Sequence, residues 1–148
     1  MRFRLMLAAT LAAASAASAP ISAQTTLNVV TAGDQNMVEY VTNYLGPKFE
    51  AMNPGVKVRA VGTGPGDSGS QKIYEKLSAQ QKAGIAAWDT DVAVVHQRGA
   101  GTMVKENLLL AYRNDVAAGK LVSRDTAKNA LGANVDGYVL PMFHSQIA

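Results

Sequence analysis

The residues with chemistry to offer sit in four short loops, each directly behind a short apolar run. Leu27 to Thr31 runs into Ala32-Gly33-Asp34-Gln35-Asn36, and Val56 to Val61 into the glycine-rich stretch Gly62 to Ser70. Asp91 to Val95 runs into His96-Gln97, and Tyr138 to Leu140 leads to Phe143-His144-Ser145. Asp34, Gln35 and Asn36 can hydrogen-bond the hydroxyl or amine groups of a ligand. Gly64 and Gly66 free backbone N–H groups to converge on an anion or a hydroxyl, ahead of a helix whose dipole favours negative charge. Asp67, Ser68, His96, Gln97 and His144 add polar side chains. In an open α/β sheet, ligands bind outside the carboxyl ends of the strands, so these ten residues form the expected ligand-binding set.

Each of them also has a plainer role. Asn36 caps a helix as readily as it contacts a ligand, and Asp67 and Ser68 share that ambiguity. The glycine-rich stretch can be a simple turn, and each histidine a hydrogen-bonded rim residue. Catalysis is not expected, because no nucleophile and orienting acid stand at a telling spacing from either histidine. Two histidines without a third ligand make no metal site, and no cofactor is expected. Gly64-Pro65-Gly66-Asp67-Ser68-Gly69 matches the dinucleotide-binding G-x-G-x-x-G pattern. The acidic residues of the next strand, Asp89 and Asp91, lie at its amino end, however, and cannot meet a ribose. No Gly-Lys-Ser/Thr follows, which excludes a Walker A loop. Trp88 precedes the third strand and is read as packing, not as a sugar platform.

The elements that position these loops follow from periodicity. Asn36 to Glu39 has the form of a capping box, opening a helix with Met37, Val38, Val41, Tyr44 and Leu45 on one face. Gly46-Pro47 is expected to break or kink it, Pro47 starting a further turn with Phe49 and Met52. Asn53-Pro54-Gly55 is a turn, and Val56, Val58 and Ala60 alternate with Lys57 and Arg59 as in a strand. Ser68 to Gln71 forms a second capping box, with Ile73, Tyr74 and Leu77 inward and an end at Gly84. A third strand spans about Thr90 to Val95. The alternation of strands and helices predicts parallel pairing with right-handed crossovers. Beyond Arg98 the pattern weakens: a short helix and turn over Met103 to Leu110, a helix start at Ser123 to Thr126, and a turn at Asp136-Gly137 before Tyr138.

Met1 to Ala23 reads as a secretory signal, with Arg2 and Arg4, an apolar stretch from Leu5 to Ala17, and Ile21-Ser22-Ala23 before a cut at Gln24. Two of the fourteen basic residues go with it, leaving twelve against eleven acidic ones, a net charge of +1. No basic cluster remains, so nucleic acid is not an expected partner. The absence of cysteine excludes disulfides, thiolate chemistry and a lipid-modified N-terminal cysteine. Residues 24–148 suit one domain.

Three stretches carry a family pattern: Leu27-Asn28-Val29-Val30-Thr31, Phe49 to Val58, and Ala93-Val94-Val95. Together they resemble the extracellular solute-binding proteins of bacterial ABC importers, in the large family 1 group that includes sugar and polyamine binders. Asp136 to Pro141 looks like the segment leading out of the first lobe. The resemblance implies a fold of two α/β lobes closing on a ligand. The chain would supply only the front of it, residues 24–148 forming a parallel-sheet lobe with flanking helices, cut short after the apolar Ile147-Ala148. It also implies a monomer that captures a small-molecule solute in the periplasm and delivers it to a membrane permease. Two other expectations stand beside this one: a secreted α/β hydrolase or phosphate-handling enzyme using the glycine-rich loop, and a nonfunctional fragment of a binder.

Overall fold

A computed structural model describes residues 24–112, 135 and 137–142. The expected signal at Met1 to Ala23, the helix start at Ser123 to Thr126, Asp136 and the run from Phe143 through His144 lie outside the described residues. The elements, in order, are β1 (Thr25–Thr31), α1 (Gln35–Tyr40), a π-helical turn (Val41–Leu45), α2 (Gly46–Met52), β2 (Val56–Gly62), α3 (Gly66–Lys82), β3 (Val92–Val94) and α4 (Gln97–Lys105). The chain is thus α/β, with a three-stranded sheet in the order β2-β1-β3 and both pairings parallel.

The three expected strands form where their apolar runs lie. β1, flanked on both sides, carries the buried Val29, Val30 and Thr31. β2 alternates half-buried Val56, Val58 and Ala60 with exposed Lys57 and Arg59. Tyr138 to Leu140 does not make a fourth strand: the N–H groups of Tyr138 and Val139 both donate to the carbonyl of Val135. A turn that consumes its own donors leaves none for a ladder.

Alternation along the strands divides the helices between the two faces. Val30 and Ala32 join Ile73 and Leu77 of α3, Met103 of α4 and Leu108 in one buried cluster, with Tyr74, Trp88 and Val95 packed on its fringe. The opposite face meets the first helical segment: a Cβ at Gly62 would touch Val38, and one at Gly46 would stand 3.3 Å from Cβ of Val58. Trp88 belongs to the core fringe, as its position before β3 implied.

Gly46-Pro47 does not break the helix. Residues 35–52 stay helical throughout, and the N–H of Gly46 donates five residues back to Val41. The wider turn makes room for the proline ring, which in a regular α-helix collides with the carbonyl four residues earlier. Only glycine fits at 46, where a Cβ would lie 2.9 Å from that Val41 oxygen. Tyr44, expected on the buried face, is instead 48% exposed and stacks on Tyr40, with ring centroids 5.3 Å apart and Lys48 over its ring.

Neither capping box forms. The cap of α1 is Asp34, whose carbonyl, not its side chain, accepts the N–H of Met37. α3 begins two residues before Ser68, with Pro65 as its cap, and the Ser68 hydroxyl donates to the Pro65 carbonyl. Gln71 donates to Glu75 one turn on instead of reaching back. Gly84, with φ +65°, ends the helix as expected.

At the free edge of β2 the carboxylate of Glu50 accepts the N–H of Val58 at 2.8 Å and pairs with Lys57 at 2.7 Å. A charged residue on an edge donor discourages pairing with another chain. The Lys57 hydrogen bond, then the Val58 N–H, hold the Glu50 carboxyl below the usual range. A carboxylate whose folded pKa is depressed stabilises the fold above its unfolded pKa, and that contribution disappears as pH falls through the folded value. The melting temperature of the wild type should therefore fall on acidification below about pH 4, and the Glu50→Gln variant should show a shallower acid limb in a melting series. Parallel acid limbs would remove Glu50 from the account.

Candidate functional site

The three strands end level. Thr31 of β1 is in register with Gly62 of β2 and with Val94 of β3. Two further hydrogen bonds carry the ladder one residue past the strands, from Ala32 N–H to Val94 and from Thr63 N–H to Thr31. The loops therefore leave side by side, with the Ala32–Asp34 loop between the other two. Each opens a helix, and the caps Asp34, Pro65 and His96 make no side-chain capping hydrogen bond. Three helix starts, each the positive end of a dipole, converge on one end of the sheet.

The glycine-rich loop is held from inside. The Thr63 hydroxyl lies 2.9 Å from the Gly69 carbonyl and 3.2 Å from that of Thr31, and Lys72 Nζ donates to the Thr63 carbonyl. A Cβ at Gly69 would fall onto the Gly64 carbonyl and lie 3.2 Å from Cα of Ala32. Gly64 and Gly66 have φ of +99° and +68°, which side chains rarely adopt. Nothing lies within 4 Å of a Cβ built at Gly66, so Gly66→Ala isolates the backbone cost. We expect it to destabilise the protein by about 1–2 kcal/mol, the left-handed penalty for an L-residue. An unchanged melting temperature in the variant would mean that the positive φ at Gly66 carries no such cost.

Of the expected site residues, Asp34, Gln35, Asn36, Asp67, Ser68, His96 and Gln97 are all exposed at this end of the sheet, while Gly64 and Gly66 are half-buried. Only some meet. His96 Nδ1 stands 3.5 Å from Asp67, and Arg98 reaches the other Asp67 oxygen at 3.9 Å. The N–H of His96 donates to Ser70 Oγ at 3.0 Å, tying the start of α4 to α3.

Below that junction a groove of about 210 Å³ runs between α3 and α4. Asp67, Ser70, Gln71 and Tyr74 line one side, Arg98, Gly99 and Thr102 the other. None of Asp34, Gln35, Asn36, Gly64, Gly66, Ser68, His96 or Gln97 is among them. Of these lining residues, only Asp67 is among the ten expected at the site. The signal was present, since 67, 70, 71 and 74 share one helical face, but reading α3 from Ser68 and α4 from Met103 concealed it. The Tyr74 hydroxyl donates to the Glu106 carboxylate at 2.9 and 3.0 Å, which pushes its pKa up and fixes the ring as a wall of the groove.

Chemically the end of the sheet offers hydrogen-bond donors, two carboxylates, a guanidinium and an imidazole. Ser68 spends its hydroxyl proton on Pro65, and Ser70 is buried beneath His96. Among the described residues no three His, Asp or Glu side chains are grouped to hold a metal ion. Compared with protein-family models, curated proteins and solved structures, the chain matches none.

Proposed function

We propose that the carboxyl end of this sheet captures a small polar organic solute, in the periplasm, for delivery to the permease of an ABC importer. The observation that carries the reading is the level ending of three parallel strands beneath three helix starts without side-chain caps, one of them behind a loop fixed by glycines of positive φ. Backbone donors at such a place suit oxygen-rich ligands, and Asp34 and Asp67 suit amines. Sugars and polyamines are the classes that the family resemblance brings. On this reading the chain acts as a monomeric first lobe, and a second lobe would supply the remaining contacts on closure. Calorimetric titration of the exported chain with a panel of sugars, polyamines and other small polar solutes tests it. Saturable binding without chemical change in the solute is expected; no saturable binding to any of them would refute it.

The His96–Asp67 approach at 3.5 Å favours a second reading, a secreted hydrolase. An imidazole beside a carboxylate is half of an acid–base relay. Release of product from aryl esters or phosphate monoesters, abolished by His96→Ala, would establish that reading over solute capture.

A further inference from the structure

The groove between α3 and α4 carries chemistry that the loops do not. Its floor is the crossing of Ser70 and Gly99, where a Cβ at 99 would stand 3.1 Å from Cβ of Ser70, so the glycine lets the helices approach. Ser70 is 2% exposed, and its oxygen accepts the His96 N–H. A hydroxyl donates as well as accepts, so one that lines a polar groove can give its proton to a ligand. At the mouth stand Asp67 and Arg98, of opposite charge and 3.9 Å apart. That separation is well beyond a charge-assisted hydrogen bond of about 2.8 Å, and an ion pair this exposed contributes little to stability. Little opposes a ligand that separates them.

We propose that this groove takes a small zwitterion with neighbouring ammonium and carboxylate groups, as in an α-amino acid. The carboxylate accepts from the Arg98 guanidinium and the Ser70 hydroxyl, and the ammonium donates to Asp67. One long ion pair is thereby exchanged for two charge-assisted contacts. A ligand with a single charge engages only one of the two, Arg98 or Asp67. The volume of about 210 Å³ admits a compact molecule, and the amide of Gln71 and the hydroxyl of Thr102 are within the same groove for its side chain. The inference rests on the solute-capture reading and narrows its solute class.

The test is calorimetric titration of the whole exported chain with L-glutamine, with its N-acetyl derivative and with its α-carboxamide, beside maltose and spermidine. Free L-glutamine should bind, and removal of either charge should lower affinity about tenfold or more. Arg98→Gln and Asp67→Asn should each cause a similar loss. Both side chains are largely exposed, at 91% and 65%, so the melting temperature of each variant should match the wild type and separate lost binding from lost fold. Equal affinity for the charge-blocked forms, or full binding by Arg98→Gln, would overturn the zwitterion. Saturable binding of maltose or spermidine without L-glutamine would overturn it while leaving solute capture intact, and saturation by no solute would sink both.

Discussion

Gly69→Ala should cost about 3 kcal/mol and lower the melting temperature on the order of 10 °C. Two backbone segments meet at Gly69: the Gly64 carbonyl, onto which a Cβ would fall, and Cα of Ala32 at 3.2 Å. Neither can turn aside as a flexible side chain would. The Thr63 hydroxyl, Lys72 and the strand ladder hold the loop from its other side, so relief would have to come from lifting α3 off the sheet. Gly101→Ala is the matched control. It lies inside α4 with nothing within 4 Å of its Cβ position, and the gain in helix propensity should leave stability equal or higher by up to about 1 kcal/mol. Thermal melts of the pair decide the matter. Equal melting temperatures for the two variants would mean that the loop does not press on α3.

The second large effect is expected at Met103. Its side chain is fully buried and joins α4 to Val30, Ile73, Leu77 and Leu108. Met103→Ala removes that contact and leaves a cavity, at a cost of about 2–5 kcal/mol. Met103→Leu keeps the volume and should cost less than about 1.5 kcal/mol. The functional consequence follows from position. α4 carries Arg98, Gly99 and Thr102 on one side of the groove, so loosening its only fully buried large anchor should also weaken ligand binding in the Ala variant. Chemical denaturation of both variants, followed by titration in the folded range, separates the two effects. A Met103→Ala protein as stable as the wild type would place the core elsewhere.

The parts of this fold that were legible in sequence are those set by apolar periodicity and by glycine. β1, β2 and β3 formed at their apolar runs, Ile73 and Leu77 turned inward, and Gly84 closed α3, because burial and the left-handed preference act over a few residues. The misread parts turned on competition between local and tertiary hydrogen bonds. Ser68 and Asn36 fit the cap pattern, but the loops end earlier and place both residues inside the first helical turn. α4 was hidden by Gly99 and Gly101, poor helix formers that here sit where helix meets helix or solvent. Pro47 broke nothing because a five-residue hydrogen bond absorbed it, an arrangement with no sequence signature of its own. Of the ten residues expected at the site, nine follow the carboxyl ends of the three strands, several of them within the first turn of a helix, and His144 lies outside the described residues. The groove beside them needed the crossing of two helices, which no single stretch of chain encodes.

If a ligand is held at the carboxyl end of the sheet, a residue-resolved measurement will locate it there. Backbone amide shifts should be followed by nuclear magnetic resonance while the uniformly labelled chain is titrated with the tightest-binding solute of the panel. Saturating shifts are expected to be confined to residues 32–36, 63–70 and 96–102, with residues 53–55 and 85–91 at the amino end of the strands unmoved. Saturating shifts centred on the amino end, with the three helix starts silent, would contradict that placement.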